Sequence, residues 1–269
     1  MQTIQEFIQR WANSGGSERA NYALFLTELT EVLGLEKPLP ATDGGENDHY
    51  RLERPVTSAA LGENSKKFID FYRRGSFILE TKQGSQPKTE ADNQLALPDI
   101  PKIKRDGHGV RGTRTWDKSM VKARGQADNY ARSIAKEDGW PPFIIVCDVG
   151  YVFEVYADFS GQGHGYNQFP DGTRYRIFLD DLTDPDVQQL FRDIWNNPQA
   201  LDPAKTSAKV TREIADQLAR LGRSFEAQGH APEKVAGFLM RCLFSMFAED
   251  VYLIPRDSFT ELLRKLRGH

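Results

Sequence analysis

The sequence predicts an α/β layer domain followed by a region built only of helices. Up to about residue 182, short β-prone runs alternate with amphipathic helical segments, whereas beyond it only helical periodicity is found. The change coincides with the breaker-rich stretches "DPD" and "NNPQALDPAKTS". We therefore expect two domains, an α/β domain over residues 1–182 and a helical domain over residues 183–269.

The first two segments of the chain are predicted to be helices. In "TIQEFIQRWA" and in "SERANYALFLTELTEVLGL" the apolar residues recur every three or four positions. Gly34 is placed to end the second helix, because glycine adopts the left-handed conformation of a helix C-terminus without strain. Residues 35–65 are rich in proline, glycine and acidic residues and predict little regular structure.

The first pair of strands is predicted by the β-prone runs "KKFIDFYRR" and "SFILETK", with Gly75 between them as the turn of a hairpin. Because alternate residues of a strand face opposite sides, Ile78, Glu80 and Lys82 should share one face of the second run. The residues between them should face the other side.

One long helix and two further strands complete the predicted α/β domain. Residues 83–116 show no periodicity, and a helix is expected over roughly residues 117–137. The runs "PPFIIVCDV" and "YVFEVYADF" then predict two strands joined at Gly150. The first of these is apolar on both faces, which is typical of a central strand.

The predicted hairpin places charged residues in apolar surroundings. Asp70 lies between Ile69 and Phe71, and Glu80 directly follows "FIL". Two carboxylates beside an ammonium suit a divalent cation, since Mg²⁺ prefers one or two carboxylates and keeps several waters. The metal would stabilise charge on a phosphoryl oxygen while Lys82 orients or deprotonates the attacking water. Asp-x₉-Glu-x-Lys is thus the arrangement expected for metal-assisted phosphodiester hydrolysis; the alternative is a surface hairpin with ordinary charges.

Three more residues are candidates for this site. Thr81, between the acid and the lysine, can offer its backbone carbonyl to the metal. In "GQADNYAR", Gln126 and Tyr130 are four residues apart and share one face of the predicted helix. Their amide and phenol could reach the lysine, a metal-bound water or a phosphate, although Tyr130 could equally pack against the sheet.

A basic segment runs into the same helix. Residues 100–124 hold eight basic and two acidic residues in a chain of net charge −3. A basic segment with glycines suits the phosphate backbone of DNA, and a solvated surface loop is the alternative. The candidate DNA-binding residues are Lys102, Lys104, Arg105, Arg111, Arg114, Lys118, Lys122 and Arg124.

These residues resemble the PD-(D/E)xK nuclease fold, in which Asp70 and Glu80-Thr81-Lys82 would form the core of the active site and Gln126-x-x-x-Tyr130 the accessory motif. The stretches "SGGSERANYALFLTELTEVLGL", "FIDFYRRGSFILETKQG", "ARGQADNYAR" and "FLMRCLFSMFAEDV" are similar to the N-terminal part of type IIL restriction–modification enzymes, the MmeI-like family. The resemblance implies a mixed central sheet flanked by helices and then an all-α connector. In that family an adenine-N6 DNA methyltransferase and a target-recognition domain follow.

The resemblance also implies roles for individual residues. The chain would be a Mg²⁺-dependent, type II site-specific deoxyribonuclease domain acting on double-stranded DNA, with Mn²⁺ able to substitute. Its metal ligands would be Asp70, Glu80 and the Thr81 carbonyl, its water-orienting base Lys82, and its supporting groups Gln126 and Tyr130. A carboxylate on the first core helix is a further candidate ligand; Glu28 is the one favoured, and Glu18 and Glu31 compete with it.

The 269 residues contain no glycine-rich S-adenosylmethionine motif and no "NPPY"-type methylation motif. We therefore expect a fragment whose partners in cis are the missing methyltransferase and recognition domains, with S-adenosylmethionine bound only there. Cleavage of both strands would use a transient dimer. The alternative function is a non-catalytic DNA-binding and scaffolding domain of a phage-defence DNA methyltransferase. With no membrane-length apolar segment and no signal peptide, a cytoplasmic location in a bacterium or archaeon is expected.

Overall fold

The computed structural model describes residues 2–12, 14, 18–57, 66–86, 109–162, 165–255 and 257–267. The chain divides into two compact units, Met1–Asp202 and Pro203–His269. The first unit has a mixed central sheet flanked by helices and the second is helical, so the predicted fold class is confirmed.

The described part of the first unit contains four α-helices and a seven-stranded sheet. The helices are α1 (Ile4–Ala12), α2 (Glu18–Val32), α3 (Arg114–Asp138) and α4 (Pro185–Asn196). The strands are β1 (Tyr50–Thr57), β2 (Lys66–Arg73), β3 (Phe77–Lys82), β4 (Phe143–Asp148), β5 (Val152–Ala157), β6 (Asn167–Gln168) and β7 (Arg176–Phe178). Two 3₁₀ helices flank α4, at Leu179–Thr183 and Pro198–Leu201.

The sheet is mixed because one connection is a crossover. Its order is β1-β2-β3-β4-β5-β6, and β7 also pairs with β5. Strands β3 and β4 are parallel and the other neighbours are antiparallel, since α3 carries the chain from the end of β3 back to the start of β4. The β2–β3 hairpin turns at Gly75, whose φ of +67° belongs to the left-handed region that glycine adopts readily.

The two faces of the sheet are covered by different helices. On one face the apolar residues of α1, α2 and α4 pack against the strands, and on the other face those of α3 do so. Phe77 and Leu79 belong to the first layer and Ile78 to the second, as the alternation of β3 predicts. All six residues of β4 are buried, which confirms its central position.

Helix α4 belongs to the compact α/β unit, although the sequence placed it after the boundary at residue 182. Its residues Phe191, Ile194 and Trp195 are buried in the first core layer, and the compact unit extends to Asp202. The "DPD" stretch that marked the predicted domain boundary is the start of this helix. The side chain of Asp184 accepts a hydrogen bond from the backbone N–H of Asp186 and so caps the helix.

Strand β1 lies in a region for which the sequence predicted little structure. It is the first strand of the sheet order and therefore an edge strand. Pro55, which argues against a strand, pairs in register with Phe68 of β2. An edge strand tolerates proline because one side of its backbone needs no ladder partner.

The second unit consists of α5 (Pro203–Ala227), α6 (Pro232–Asp250) and α7 (Ser258–Arg267), as the helical periodicity predicts. Several large apolar side chains of this unit are exposed, among them Phe238, Met240, Phe244, Phe247, Tyr252 and Leu253. None of the helices described in either unit has the length and apolarity needed to span a membrane.

Candidate active site

The two predicted carboxylates lie where strands β2 and β3 separate. Within the described part of these strands, the ladder ends at the pair Phe71↔Leu79. Beyond it, Oδ2 of Asp70 accepts hydrogen bonds from the backbone N–H and the hydroxyl of Thr81, each at a donor–acceptor distance of 2.7 Å. The carboxylate therefore takes the place of a backbone acceptor and holds Asp70 beside the segment of β3 that carries Glu80.

Glu80 is fully buried, with a relative exposure of 0%. Among the described residues, neither of its carboxylate oxygens has a hydrogen-bond partner. Burial raises the pKa of Glu80 well above its ordinary value, and the charge of Asp70 adds to the rise. Burial also raises the pKa of Asp70, against the opposing effect of its hydrogen bonds from Thr81. Two adjacent buried carboxylates of this kind need a cation if both are to be ionised.

Lys82 supplies the positive charge of the site. Its ammonium donates a hydrogen bond to the backbone carbonyl of Thr81 and lies 3.6 Å from Oε1 of Glu18 on α2. The backbone carbonyl of Lys82 accepts a hydrogen bond from Val149 at 2.8 Å, which fixes the end of β3 against the segment after β4. The lysine is thus positioned on the carbonyl that was predicted to serve as a metal ligand.

Helix α3 brings Gln126 and Tyr130 to the site. The amide Nε2 of Gln126 donates to the hydroxyl of Tyr130 at 3.1 Å. Tyr130 is buried in the second core layer, and its pKa is raised by burial and by the charge of Glu80. Tyr130 therefore packs against the sheet and also adjoins the carboxylates. A surface cleft opens beside it, lined by Lys67, Lys122, Gly125, Gln126, Asn129 and Tyr130.

The acid of α2 that reaches the site is Glu18, and Glu28 is engaged elsewhere. Glu28 accepts a hydrogen bond from the indole N–H of Trp11 at 2.8 Å and pairs with Arg10 at 3.1 Å. Glu31 forms an ion pair with Lys37. The prediction that favoured Glu28 is corrected accordingly: helical periodicity could not tell which glutamate of α2 faces the end of β3.

The donor set suits a hard cation that keeps part of its water shell. No cluster of three or more His, Cys, Asp or Glu side chains able to hold a metal occurs among the described residues. The available oxygens are those of Asp70, Glu80 and the Thr81 carbonyl, which match the preference of Mg²⁺ for few carboxylates and several waters. The unpartnered oxygens of Glu80 are the observation that such a cation would explain.

Comparison with known families places this geometry in context. The chain matches the family described as "MmeI, N-terminal domain" over residues 1–228 and that described as "MmeI, helicase spacer domain" over residues 233–269. The chain belongs to the MmeI family. No curated protein and no solved structure gave a significant match. The resemblance to the MmeI-like family is confirmed, and it places the chain among the parts of type IIL restriction–modification enzymes, which are multidomain enzymes that act on DNA.

The predicted DNA-binding residues lie partly outside the described residues and partly on α3. Lys102, Lys104 and Arg105 lie outside the described residues. Exposed positions on α3 are occupied by Arg114, Lys118 and Lys122, and Lys122 also lines the cleft beside Tyr130. These three side chains form a basic track that leads along the helix toward the site.

Arg111 is not placed to bind DNA, and this prediction is corrected. Its side chain is 3% exposed and pairs with Asp148 at 2.8 Å. Asp148 also accepts hydrogen bonds from the indole of Trp116 at 2.6 Å and from the backbone N–H of Gly84 at 3.1 Å. Arg111 thus neutralises a buried carboxylate that ties the chain after β3 to the start of α3.

Arg124 is also engaged within the fold. Its guanidinium donates to the backbone carbonyl of Tyr166 and lies 4.2 Å from the ring centroid of Tyr156. Such stacking holds the side chain against the protein, so Arg124 is a weaker candidate for DNA contact than its neighbour Lys122.

Sequence reasoning missed two groups near the site. Asp148 ends the apolar run of β4, and an acid in that place was the available signal. Glu53 lies on β1, and its carboxylate accepts a hydrogen bond from Tyr22 of α2 at 2.5 Å. No local sequence pattern signals the contact between Tyr22 and Glu53, because the two residues are 31 positions apart.

Proposed function

We propose that this chain is the endonuclease domain of a fused type II restriction–modification enzyme and hydrolyses DNA phosphodiesters with Mg²⁺ and an activated water. The observation that carries the proposal is the buried Glu80 carboxylate, which has no hydrogen-bond partner among the described residues. It lies beside a second carboxylate, Asp70, with Lys82 on the same strand. Membership of a family that acts on DNA supports phosphodiester hydrolysis as the chemistry of this group.

In this proposal Asp70, Glu80 and the Thr81 carbonyl hold Mg²⁺, or Mn²⁺ in its place. The bound cation supplies Lewis-acid stabilisation of the charge that develops on the phosphoryl oxygen. Without a cation, the carbonyl of Thr81 accepts a hydrogen bond from Lys82. Because the ammonium lies beside this carbonyl, Lys82 is placed to hold a water next to the proposed cation.

Lys82 is the group proposed to orient the attacking water and, as a neutral amine, to accept its proton. The carboxylate of Glu18, at 3.6 Å, restrains the ammonium from the side of α2. On the side of α3, Tyr130 presents a hydroxyl that is already held by Gln126. That hydroxyl is a hydrogen-bond donor for a phosphate oxygen or a water at the site. Reaction by water alone requires no covalent intermediate on the protein.

Substrate DNA would reach this site along α3. Lys118 and Lys122 are four residues apart and therefore lie on one side of the helix, and both are exposed. Phosphates bound there would place the next part of the strand at the cleft beside Tyr130. Cutting of both strands by one such site per chain implies a transient dimer.

The test is nicking of supercoiled plasmid at low salt with Mg²⁺ or Mn²⁺. We expect the wild-type chain to nick the plasmid and Lys82→Ala to lose at least about a hundredfold of the rate, as is typical for loss of a general base. Lys37→Ala, which removes a lysine from a surface ion pair on the far end of α2, should nick as the wild type does. Equal rates for Lys82→Ala and wild type would overturn the proposed site.

If none of the variants nicks DNA, binding of Mn²⁺ provides the second measurement. Loss of Mn²⁺ binding in Asp70→Ala and in Glu80→Ala, with retention in Lys37→Ala, would support the metal site and indicate that cleavage needs further domains. Retention of binding in all three variants would contradict the proposal and favour a non-catalytic DNA-binding domain.

A further inference from the structure

The residues of strand β1 before and after Glu53 pack on opposite faces of the sheet. Tyr50 and Leu52 pack in the layer of α1, α2 and α4, whereas Val56 packs in the layer of α3. Arg54 also lies on the α3 side, where it pairs with Asp138 at 2.7 Å. Even-numbered residues of a regular strand would all share one face. The regular alternation is therefore interrupted between Leu52 and Arg54.

Strand β2 shows the same interruption at Asp70. Ile69 and Tyr72 pack in the layer of α3, and Phe71 packs in the opposite layer. The register pairs Leu52↔Phe71 and Arg54↔Ile69 flank Glu53 on β1 and Asp70 on β2. Both strands thus change faces at the same level of the sheet, a feature called here the face switch. One of its two residues, Asp70, is a proposed metal ligand.

The face switch is accompanied by strained backbone. Glu53 has φ +49°, in the left-handed region that residues with a side chain seldom adopt. Strain of this kind persists only where the surroundings fix it, and it is concentrated at functional sites. The fixing contact is the hydrogen bond from the hydroxyl of Tyr22, a buried residue of α2, to the Glu53 carboxylate at 2.5 Å.

Helix α2 contacts the site strands at two further points. Glu18 lies 3.6 Å from Lys82, and the amide of Asn21 donates to the side-chain oxygen of Gln83 at 3.3 Å. The first turns of α2 therefore touch β1 on one side of Asp70 and the end of β3 on the other.

We propose that Tyr22 and Glu53 are positioning residues for Asp70. The hydrogen bond between them holds the face switch in β1, and the face switch directs the Asp70 carboxylate out of the strand ladder onto Thr81 and toward Glu80. Neither Tyr22 nor Glu53 needs to touch the cation or the DNA. The inference rests on the metal site of the proposed function.

The test is the affinity of the whole chain for Mn²⁺, measured by electron paramagnetic resonance titration. Groups that orient a metal ligand typically change metal affinity by about 10- to 100-fold when removed. We expect Tyr22→Phe and Glu53→Ala to weaken Mn²⁺ binding by at least about tenfold. Glu53→Gln should restore most of the affinity, because the amide oxygen still accepts the hydrogen bond from Tyr22.

Tyr50→Phe is the matched control. It also removes a tyrosine hydroxyl, here one on β1 that donates to the backbone carbonyl of Glu36 at 2.5 Å and accepts from the indole N–H of Trp195 at 3.2 Å. Because those contacts lie away from the face switch, Tyr50→Phe should bind Mn²⁺ as the wild type does. A purely structural role for Tyr22 would predict equal effects of the two Tyr→Phe changes.

Asp70→Ala separates failure of this inference from failure of the proposed function. Loss of Mn²⁺ binding in Asp70→Ala with wild-type affinity in Tyr22→Phe and Glu53→Ala would overturn the positioning role alone. Unchanged binding in Asp70→Ala would overturn the metal site and the positioning role together. If Glu53→Ala fails to fold by circular dichroism, the comparison of Tyr22→Phe with Tyr50→Phe decides.

Discussion

At the scale of single residues, Glu80 occupies a position that is unfavourable for a carboxylate unless a cation is bound. Its oxygens are buried and make no hydrogen bond of normal geometry with the described residues, and an ionised Glu80 would face the charge of Asp70. A charge taken out of water without a partner destabilises a fold by several kcal/mol. The metal-free protein can lower this cost by keeping a proton on the pair.

This leads to a prediction about pH. The folded pKa of Glu80 is raised, so the folded chain binds more protons than the unfolded chain above about pH 4.3, the ordinary pKa of glutamate. Stability of the metal-free chain should therefore fall as pH rises from there through the folded pKa. At neutral pH, Glu80→Gln should be more stable than wild type, because the amide has no charge that must be buried. Urea unfolding at about pH 5 and pH 8 measures both effects.

Glu36→Gln is the control for this measurement, because Glu36 is an exposed acid whose ion pair with Arg73 lies on the surface. It should change stability by less than about 1 kcal/mol at either pH. Added Mg²⁺ should stabilise the wild type at neutral pH and leave Glu80→Gln nearly unchanged. A wild-type chain that becomes more stable with rising pH, with no gain in Glu80→Gln, would contradict the argument.

At the scale of elements, sequence reasoning succeeded where two local signals coincided. Gly75 and Gly150 both have positive φ and lie at the predicted turns, and the strands beside them alternate or are buried throughout as expected. Strand β1 was missed because Pro55 and the surrounding breakers hid an edge strand. Helix α4 was assigned to the second domain because "DPD" fits both an N-cap and a domain boundary.

For the candidate site, the sequence could supply the residues of one hairpin and one helix face. The structure brings Asp70, Glu80 and Lys82 together as the hairpin predicted, and their catalytic roles stay predictions. Contacts between distant segments could not be foreseen. Arg111 is indistinguishable from Lys118 in a basic segment, and only folding shows that its partner is Asp148, 37 residues away.

The Arg111–Asp148 pair therefore predicts a difference between two arginines of the same segment. Arg111→Ala should leave a buried carboxylate without its counter-charge and lower the free energy of unfolding by about 3–5 kcal/mol. Arg114→Ala, at an exposed position of α3, should change it by less than about 0.5 kcal/mol. Urea unfolding of both variants is the measurement, and equal stability of the two would show that the pair does not support the fold.

At the scale of the whole molecule, the distribution of charge matters more than its total. The chain has a net charge of −3, so attraction to DNA must come from a local surface. The basic track of α3, formed by Arg114, Lys118 and Lys122, is such a surface, and it ends at the cleft beside Tyr130. Each phosphate that a lysine neutralises releases counterions, which makes the affinity fall with salt.

The basic track predicts a specific salt dependence. Replacing Lys118 and Lys122 together by Ala should weaken binding of a DNA duplex and reduce the slope of log K against log salt by about 1.8, since each phosphate contact contributes about 0.9. Fluorescence anisotropy without divalent metal measures this and avoids cleavage. Replacing Lys37 and Lys234, exposed lysines outside α3, removes the same charge and should leave the slope unchanged. The same slope change in both double variants would mean that net charge, and not the track on α3, determines how the chain binds DNA.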